Sequence, residues 1–357
     1  MFAIKNIKIA RDSRMLSQSE LARKVGLSQA LLSKIEKGLI KPNEQQQKAI
    51  AEGLDYPLSF FAVEIPVLRN DSMFYRKRQS LRVKDLSFLE GKIAILSHCI
   101  DILQDSVEIP ECRIPHCEVM QENTADEIAF KIRNYLAIPN GPIINMIGLL
   151  EHNGILVVPV NGVDTDKFDG VSTFTEQSIP VIWINAEMPN DRKRFTLAHE
   201  LGHIVMHLRS DDLQKTEEEK EQEANMFAAE FLLPRSQCRE DLFDLKYKNL
   251  NLKKMYWKVS KAFLIRRAAQ LHCISVQTEK YLYVTLGRQG ERKVESCPVE
   301  LDEPVALRKM VDLHLGELEY SMDELSKIVG LSSADIKKDL QNISTHHNKI
   351  VLFKQLS

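Results

Sequence analysis

The pentapeptide His199-Glu200-Leu201-Gly202-His203 constrains the fold of this chain more than any other feature. On an α-helix, side chains four residues apart lie on one face, so His199 and His203 can contact the same metal ion. Glu200, placed between them, can act on a water molecule bound to that ion. Apolar residues flank the motif on both sides, as a buried helix requires. The pattern predicts a helix that carries a metal site, although five such residues also occur together by chance.

A metal site of this kind needs a third protein ligand and leaves a fourth position open for water. A second helix is predicted to end at Pro234, because the apolar residues before it recur at helical spacing. Glu221 and Asn225 lie four residues apart on that helix, so Glu221 can bind the metal while Asn225 orients a ligating histidine. Glu223 is the alternative carboxylate. A further alternative is that Glu221 only extends the acidic run at 217–219 as part of a solvated helix start.

His207 continues the four-residue spacing of the histidines. A helix rises about 1.5 Å per residue, which puts His207 on the order of 12 Å from His199 along the axis. One ion cannot be bound at both ends of that distance. His207 is therefore expected to assist the metal ligands or to pack beside them.

Three linked blocks surround these candidates: Arg194-Phe195-Thr196-Leu197-Ala198-His199-Glu200-Leu201-Gly202-His203, then Glu221-x-Glu223-Ala224-Asn225-x-Phe227-Ala228-Ala229-Glu230, then Leu232-Leu233-Pro234. Over residues 120–275 the chain thereby resembles the ImmA/IrrE metallopeptidases. The resemblance implies a zincin-like domain with a small mixed sheet beside the active helix. It implies His199, His203 and Glu221 as ligands of Zn²⁺, with Mn²⁺ or another divalent ion as alternatives, and Glu200 as general base. Family members include proteases that cleave a transcriptional repressor after stress.

Residues 1–50 are basic and carry a pattern of two short helices. They hold ten lysines and arginines against four aspartates and glutamates, whereas the whole chain has a formal net charge of −2. Such a local excess is typical of phosphate binding. Ser17 and Glu20 can form a capping box for one helix, Gly26 ends that helix, and Ser28 caps the next. The pattern predicts a helix-turn-helix whose second helix enters the major groove of DNA.

This region resembles the XRE family of Cro-like and phage-repressor-like regulators in Leu16-Ser17-Gln18-x-Glu20-Leu21-Ala22 and Gly26-Leu27-Ser28-Gln29-x-x-Leu32-Ser33-x-Ile35-Glu36-x-Gly38. That likeness implies an internal ion pair between Arg11 and Glu36. Gln29 matches the N6/N7 edge of adenine, whereas Lys37 and Lys41 are expected at phosphates. The full set of expected DNA-binding residues is Gln18, Ser28, Gln29, Ala30, Ser33, Lys34, Lys37 and Lys41. The alternative is a helical bundle that serves only protein contacts.

The fold class expected for the whole chain is multidomain α+β. It consists of an all-α helix-turn-helix domain (1–65), a basic-aromatic and helical linker (66–118), a zincin-like metallopeptidase domain (119–275) and a small α+β C-terminal region (276–357). In the linker, residues 73–81 are basic and aromatic, and 88–103 predict an amphipathic helix that packs, links domains or forms a dimer seam. Residues 281–285 are expected to form a strand. Residues 321–332 faintly echo a helix-turn-helix without a basic face, which favours a packing role.

A length of 357 residues with 44% hydrophobic and 27% charged residues suits two or three soluble domains. The sequence has no apolar run near the roughly 20 residues of a membrane span and no signal-peptide core. The six cysteines form no C-x-x-C pair, which indicates reduced thiols in a cytoplasmic protein.

Two functional hypotheses follow. The first is a DNA-binding regulator with zinc-dependent endopeptidase activity, acting as a homodimer on a double-stranded operator and cleaving a repressor, an antitoxin or itself. The second is a transcription factor whose metallopeptidase fold is a sensor or dimerisation module without significant proteolysis. His207 and Tyr256 are candidates for stabilising the oxyanion, and the strand around 181–184 is expected to hold an extended substrate by strand addition.

Overall fold

The computed structural model describes residues 2–66, 81–107, 109–163, 167–208, 215–300 and 303–341. Its N-terminal unit consists of α1 (Lys5–Ser13), α2 (Gln18–Lys24), α3 (Gln29–Glu36), α4 (Glu44–Leu54) and a 3₁₀ turn (Leu58–Phe61). The predicted capping box of Ser17 and Glu20 begins α2, and Ser28 caps α3. Gly26 between them has φ +68°, a left-handed conformation that glycine adopts without strain. The predicted helix-turn-helix is confirmed.

One long helix, α5 (Val83–Gln104), follows this unit. It confirms the helix predicted over 88–103. Leu89, Ile93, Leu96 and Ile100 are each at most 2% exposed and lie in one core with the N-terminal helices. The helix is therefore an internal packing element, and this apolar face is not available as a dimer seam. Residues 73–80 of the basic-aromatic stretch lie outside the described residues.

Two helices, α6 (Ala125–Tyr135) and α7 (Met146–His152), precede a sheet of β1 (Leu156–Val160), β2 (Gly170–Phe174) and β3 (Pro180–Asn185). The strand order is β1-β3-β2, with β1 parallel and β2 antiparallel to β3. The expected small mixed sheet is confirmed. The expectation that residues 181–184 hold a substrate by strand addition is wrong. They lie in the central strand, whose backbone groups are already paired on both sides.

The sheet separates two hydrophobic cores because side chains alternate between the faces of a strand. Val157 and Ile182 face the helices that carry the histidine motif. Val158 and Trp183 face the opposite way, into the core shared with α5 and the N-terminal helices. The helix-turn-helix unit and the histidine motif therefore lie on opposite sides of one three-stranded sheet.

Helices α8 (Asn190–Met206) and α9 (Glu217–Leu232) pack directly against each other. Glycine at position 202 permits this approach, because a Cβ atom there would lie 3.1 Å from the ring of Phe227. Thr216 and Glu219 form a capping box that begins α9. This packing brings the histidine motif on α8 alongside Glu221 on α9.

The helices that follow are α10 (Arg235–Leu242), α11 (Leu250–Trp257), α12 (Lys261–Gln270) and α13 (Val276–Arg288), with a 3₁₀ turn at Tyr247–Asn249. The strand expected at 281–285 is wrong, because these residues lie inside α13. Ser275 caps that helix, and Leu282 and Leu286, four residues apart, are buried on its inner face. In the described part of the C-terminal region, every regular element is helical.

The last described elements are α14 (Ala306–Leu315), α15 (Met322–Val329), a short helical turn (Ser333–Asp335) and a π-helical turn (Ile336–Gln341). From residue 321 onward they repeat the signals of α2 and α3 in the same order and spacing: a Ser–x–x–Glu capping box, a left-handed glycine and a capping serine. The corresponding residues are Ser17, Glu20, Gly26 and Ser28 in the first copy and Ser321, Glu324, Gly330 and Ser332 in the second. The faint echo of a helix-turn-helix therefore has that local geometry.

This second helix pair packs against the first unit. At Gly330 a Cβ atom would lie 3.1 Å from Phe60 Cα, so the turn rests on the backbone there. The guanidinium of Arg14 lies over the ring of Tyr56 and donates to the carboxylate of Asp335, with Nη1 2.9 Å from Oδ1. The first turn of the last helical segment, which in a helix-turn-helix would meet DNA, is thus occupied by a contact within the chain.

All six cysteines are free, in agreement with the sequence. Burial raises the pKa of Cys238 to about 11 and that of Cys99 to about 12, so both are neutral thiols near pH 7. Of the helices in the described ranges, none is both long and apolar enough to cross a membrane.

Candidate metal centre and DNA-binding surface

The first candidate site lies where α8 meets α9. The Nε2 atoms of His199 and His203 are 3.0 Å apart. The carboxylate oxygens of Glu221 lie 3.5 Å from His199 Nε2 and 3.6 Å from His203 Nε2. All three ligand atoms lie within 4.8 Å of one another, and among the described residues no other group of His, Cys, Asp or Glu has this arrangement. The structure therefore brings together the three residues that the sequence suggested as metal ligands.

Hydrogen bonds behind the rings determine which nitrogens face the centre. Nδ1 of His199 lies 3.2 Å from Oδ1 of Asn225. An amide oxygen only accepts, so this Nδ1 carries the proton and Nε2 presents a lone pair. The expected pairing of Asn225 with a ligating histidine is present.

His207, at the end of α8, stands behind His203 rather than at the centre. Its Nε2 lies 2.8 Å from a carboxylate oxygen of Glu223, and its Nδ1 lies 2.9 Å from Nδ1 of His203. Burial lowers the pKa of His207, so the ring is neutral, donates to Glu223 through Nε2 and accepts through Nδ1. His203 then donates from Nδ1, and the lone pair of its Nε2 faces the centre that it shares with His199 and Glu221.

The donor set fits a divalent cation. Two imidazole lone pairs and a carboxylate converge on one small volume, and such groups repel one another unless a cation lies between them. Three protein ligands also leave coordination positions for water. Glu223, the alternative ligand, instead contacts His207 and Lys215 at 2.8 and 2.7 Å. The sequence did not indicate this role because Lys215 lies eight residues before Glu223, outside the predicted helix.

Glu200 lies beside the metal group and is only 2% exposed. Ser172 on β2 donates a 2.8 Å hydrogen bond to its carboxylate. The strand approaches the helix closely at Gly170, where a Cβ atom would lie 2.6 Å from the Thr196 side chain. Ser172 was missed by sequence reasoning. The one signal was the presence of polar hydroxyl residues in a short strand that is almost entirely buried.

The two oxyanion candidates are placed differently. His207 is buried behind His203, where its ring nitrogens are both engaged. Tyr256 is half-exposed and packs edge-on against Trp257. None of the described contacts of Tyr256 is with the metal group, so its role in stabilising the oxyanion stays a prediction.

The second candidate site is the surface of α2 and α3. Arg11 and Glu36 form the predicted ion pair, with Nε 2.8 Å from Oε1. Glu36 also accepts from Gln18 at 2.7 Å, and Gln18 accepts from Gln29 at 3.0 Å. This chain of hydrogen bonds holds the two glutamine amides in fixed positions at the start of α3.

The remaining predicted DNA-binding residues lie on α3 or next to it in the chain. Ser28 is the exposed cap of α3, Ser33 is half-buried, and the rest are exposed: Ala30, Lys34, Lys37 and Lys41. Cationic and amide side chains on the outer surface of α3 suit contacts to phosphates and base edges.

Comparison with known families gives two matches. Residues 7–61 match a helix-turn-helix family, and residues 150–269 match the family described as the IrrE N-terminal-like domain. A comparison with curated proteins finds no match. The helix-turn-helix match covers α1 to α4, and the IrrE match covers the sheet, α8, α9 and the metal group. The chain therefore joins an XRE-type helix-turn-helix domain to an IrrE/ImmA-like peptidase domain.

Proposed function

We propose that the protein is a cytoplasmic, operator-binding regulator with Zn²⁺-dependent endopeptidase activity, and that it cleaves a repressor, an antitoxin or a segment of itself. The observation that carries the proposal is the convergence of His199, His203 and Glu221 beside a buried Glu200. A module kept only for its shape would not need a carboxylate in that position.

When bound, the divalent ion would polarise a peptide carbonyl and acidify a water molecule. Glu200 accepts the proton of the attacking water and can pass it to the leaving amine. Ser172 holds one oxygen of Glu200, which fixes the orientation of the carboxylate. Asn225 and His207 hold the rings of His199 and His203 in the orientation in which they would bind the ion.

The test of proteolysis uses Glu200→Gln. Glutamine is nearly isosteric but cannot accept the proton, so we expect normal metal content and a loss of cleavage of about 10²–10⁴-fold. The measurement is metal analysis of the full chain together with mass spectrometry of neighbouring-gene products incubated with each form. Cleavage by Glu200→Gln at the rate of the unmodified protein would contradict the mechanism.

The second candidate, a regulator that uses the peptidase fold as a sensor, is supported by the core that joins the sheet to the helix-turn-helix unit. It predicts that metal changes operator affinity in the Glu200→Gln protein, where proteolysis is absent. Operator affinity of that variant with Zn²⁺ and with a chelator is the relevant measurement. An unchanged affinity removes this candidate.

A helix-turn-helix regulator of this type would bind an inverted repeat as a homodimer, with half-sites one turn of DNA apart. Binding-site selection from a random duplex pool, followed by sedimentation of the complex, tests this. A pool that shows no sequence preference after selection contradicts sequence-specific DNA binding. A complex with a single chain per duplex contradicts the homodimer.

A further inference from the structure

A cavity of about 390 Å³ lies one helical turn before the metal ligands. Its walls come from the start of α8, from α12, and from α13 with the residues after it. Phe195 lies between this cavity and the metal centre. Its ring centroid is 6.3 Å from that of His199 and 5.0 Å from that of Phe263, in an edge-on contact. With Met188, the two phenylalanines give the cavity an apolar lining.

The buried carboxylates of this cavity are already engaged. Asp191 pairs with the buried Lys254, and Glu295 accepts from the same ammonium at 2.8 Å. Glu295 also accepts from the first backbone N–H groups of α12, those of Lys261 and Ala262. Their negative charge is thus compensated from behind the cavity wall.

Some of the cationic side chains at the cavity, in contrast, have no ion-pair partner among the described residues. Asp169 pairs with Arg192 at 3.2 Å. Arg266 and Arg292 are exposed, and among the described residues neither forms an ion pair. Two guanidinium groups next to an apolar lining therefore remain available to an anionic partner. Arg292 and Glu295 lie beyond residue 269, so this part of the cavity is outside the matched peptidase domain.

We propose that this cavity is a specificity pocket for an acidic side chain of the protein substrate. Arg266 and Arg292 bind the carboxylate, and the Phe195–Phe263 pair contacts the methylene groups of that side chain. Guanidinium groups suit this role because they bind carboxylates through two parallel hydrogen bonds. The inference rests on the proposed function, since it requires a peptide to lie across the neighbouring metal centre.

The first test is digestion of a peptide library derived from whole-cell protein by the Zn²⁺-loaded full chain. Mass spectrometry of the products gives residue preferences around the cleaved bond. We expect Asp and Glu to be enriched at one position, and this enrichment to be lost in Arg266→Glu/Arg292→Glu. The matched control is Arg239→Glu/Lys280→Glu, two exposed charge reversals outside the cavity, which should keep the enrichment. Cleavage without an acidic preference overturns the pocket proposal and leaves proteolysis intact.

The second test does not depend on turnover. Acetyl-glutamate amide and acetyl-glutamine amide are titrated into the Glu200→Gln protein, with binding followed by NMR. We expect the acidic probe to bind about fivefold more tightly, because charge-assisted pairs at partly solvated sites contribute about 1 kcal/mol. The Arg266→Glu/Arg292→Glu form should show no such difference. Equal binding of both probes, or none, contradicts the pocket. Selective binding without any library cleavage supports the pocket and removes the endopeptidase function.

Discussion

Glu221 and Glu223 lie two residues apart on α9 and differ in what they contact. Glu221 faces both histidine Nε2 atoms, whereas Glu223 holds His207. Both carboxylates were candidate ligands in the sequence, and spacing along a helix could favour one without deciding between them. Their contacts depend on the angle at which α9 crosses α8, which arises from packing rather than from the motif.

We expect Glu221→Gln to lower metal affinity at least about tenfold more than Glu223→Gln, because a ligand contributes more than the group that orients a ligand. Metal retained after dialysis against graded chelator concentrations measures the difference. Glu218→Gln, an exposed change in the same acidic run, serves as control. Equal losses of metal affinity in the two variants, or a larger loss for Glu223→Gln, would show that Glu221 is not the metal ligand.

Lys193, near the start of α8, is 1% exposed and donates to the carbonyl oxygen of Ala186 at 2.7 Å. Burial lowers its pKa from 10.5 to about 8. Between these values the unfolded chain holds a proton that the folded chain has lost, so stability rises with pH. We expect the free energy of unfolding to increase by about 2 kcal/mol from pH 8 to 10, relative to Lys193→Met. Urea unfolding of both forms across this range checks the sign, and parallel curves would contradict it.

At the scale of elements, capping signals predicted helix starts well and strand propensity predicted poorly. Ser17 and Ser28, the two caps predicted from the sequence, both accept hydrogen bonds from backbone N–H groups at the starts of α2 and α3. The aromatic and β-branched residues at 281–285 suggested a strand, but burial of Leu282 and Leu286 on one helix face prevailed. Local propensity is weak against tertiary packing.

Ser172 could not be identified from the sequence for a different reason. A single serine in a strand carries no sequence signal for its partner, which lies 28 residues later on another element. The metal ligands on α8 were predictable because the helix itself sets their spacing. The hydrogen bond from Ser172 to Glu200 was not predictable, because it depends on the antiparallel pairing of β2 with β3.

On the proposed DNA-binding surface, α3 and the residues after it would make two kinds of DNA contact. We expect Gln29→Ala to relax preference at one base pair, at a cost of about 1–3 kcal/mol for the preferred base. Lys37→Ala should weaken binding to all duplexes and reduce the salt slope by about one. Titrations of the full chain with selected and random duplexes over a range of salt concentrations measure both, with Lys280→Ala as control. A Gln29→Ala protein with unchanged base preference would contradict the assigned role.

At the scale of the whole molecule, the C-terminal helix pair anchors the DNA-binding unit. Burial opposes ionisation of Asp335, but its hydrogen bonds with Arg14 outweigh that effect and lower its pKa. The pair therefore stabilises the folded chain above the ordinary pKa of aspartate, and this contribution is lost as the pH falls below it.

We expect Asp335→Ala to reduce the free energy of unfolding by about 1–3 kcal/mol at pH 7, since it leaves the partly buried Arg14 without its carboxylate. Asp323→Ala, an exposed change on the neighbouring helix, should have little effect. Urea denaturation of the full chain measures both. The difference between the two variants should shrink at pH 3, and a difference independent of pH would contradict the ion-pair explanation.

The core behind the sheet has a thermodynamic consequence for the two ligands. Because the DNA-binding helices and one face of the sheet are buried in the same core, unfolding either exposes apolar surface of the other. If operator DNA and a metal ion bind at the two proposed sites, on opposite sides of the sheet, both draw on a single folding equilibrium. Each would raise the melting temperature of the entire chain by mass action. A cell short of the metal could thus lose operator occupancy through depletion of folded protein, without any signal passing between the two sites.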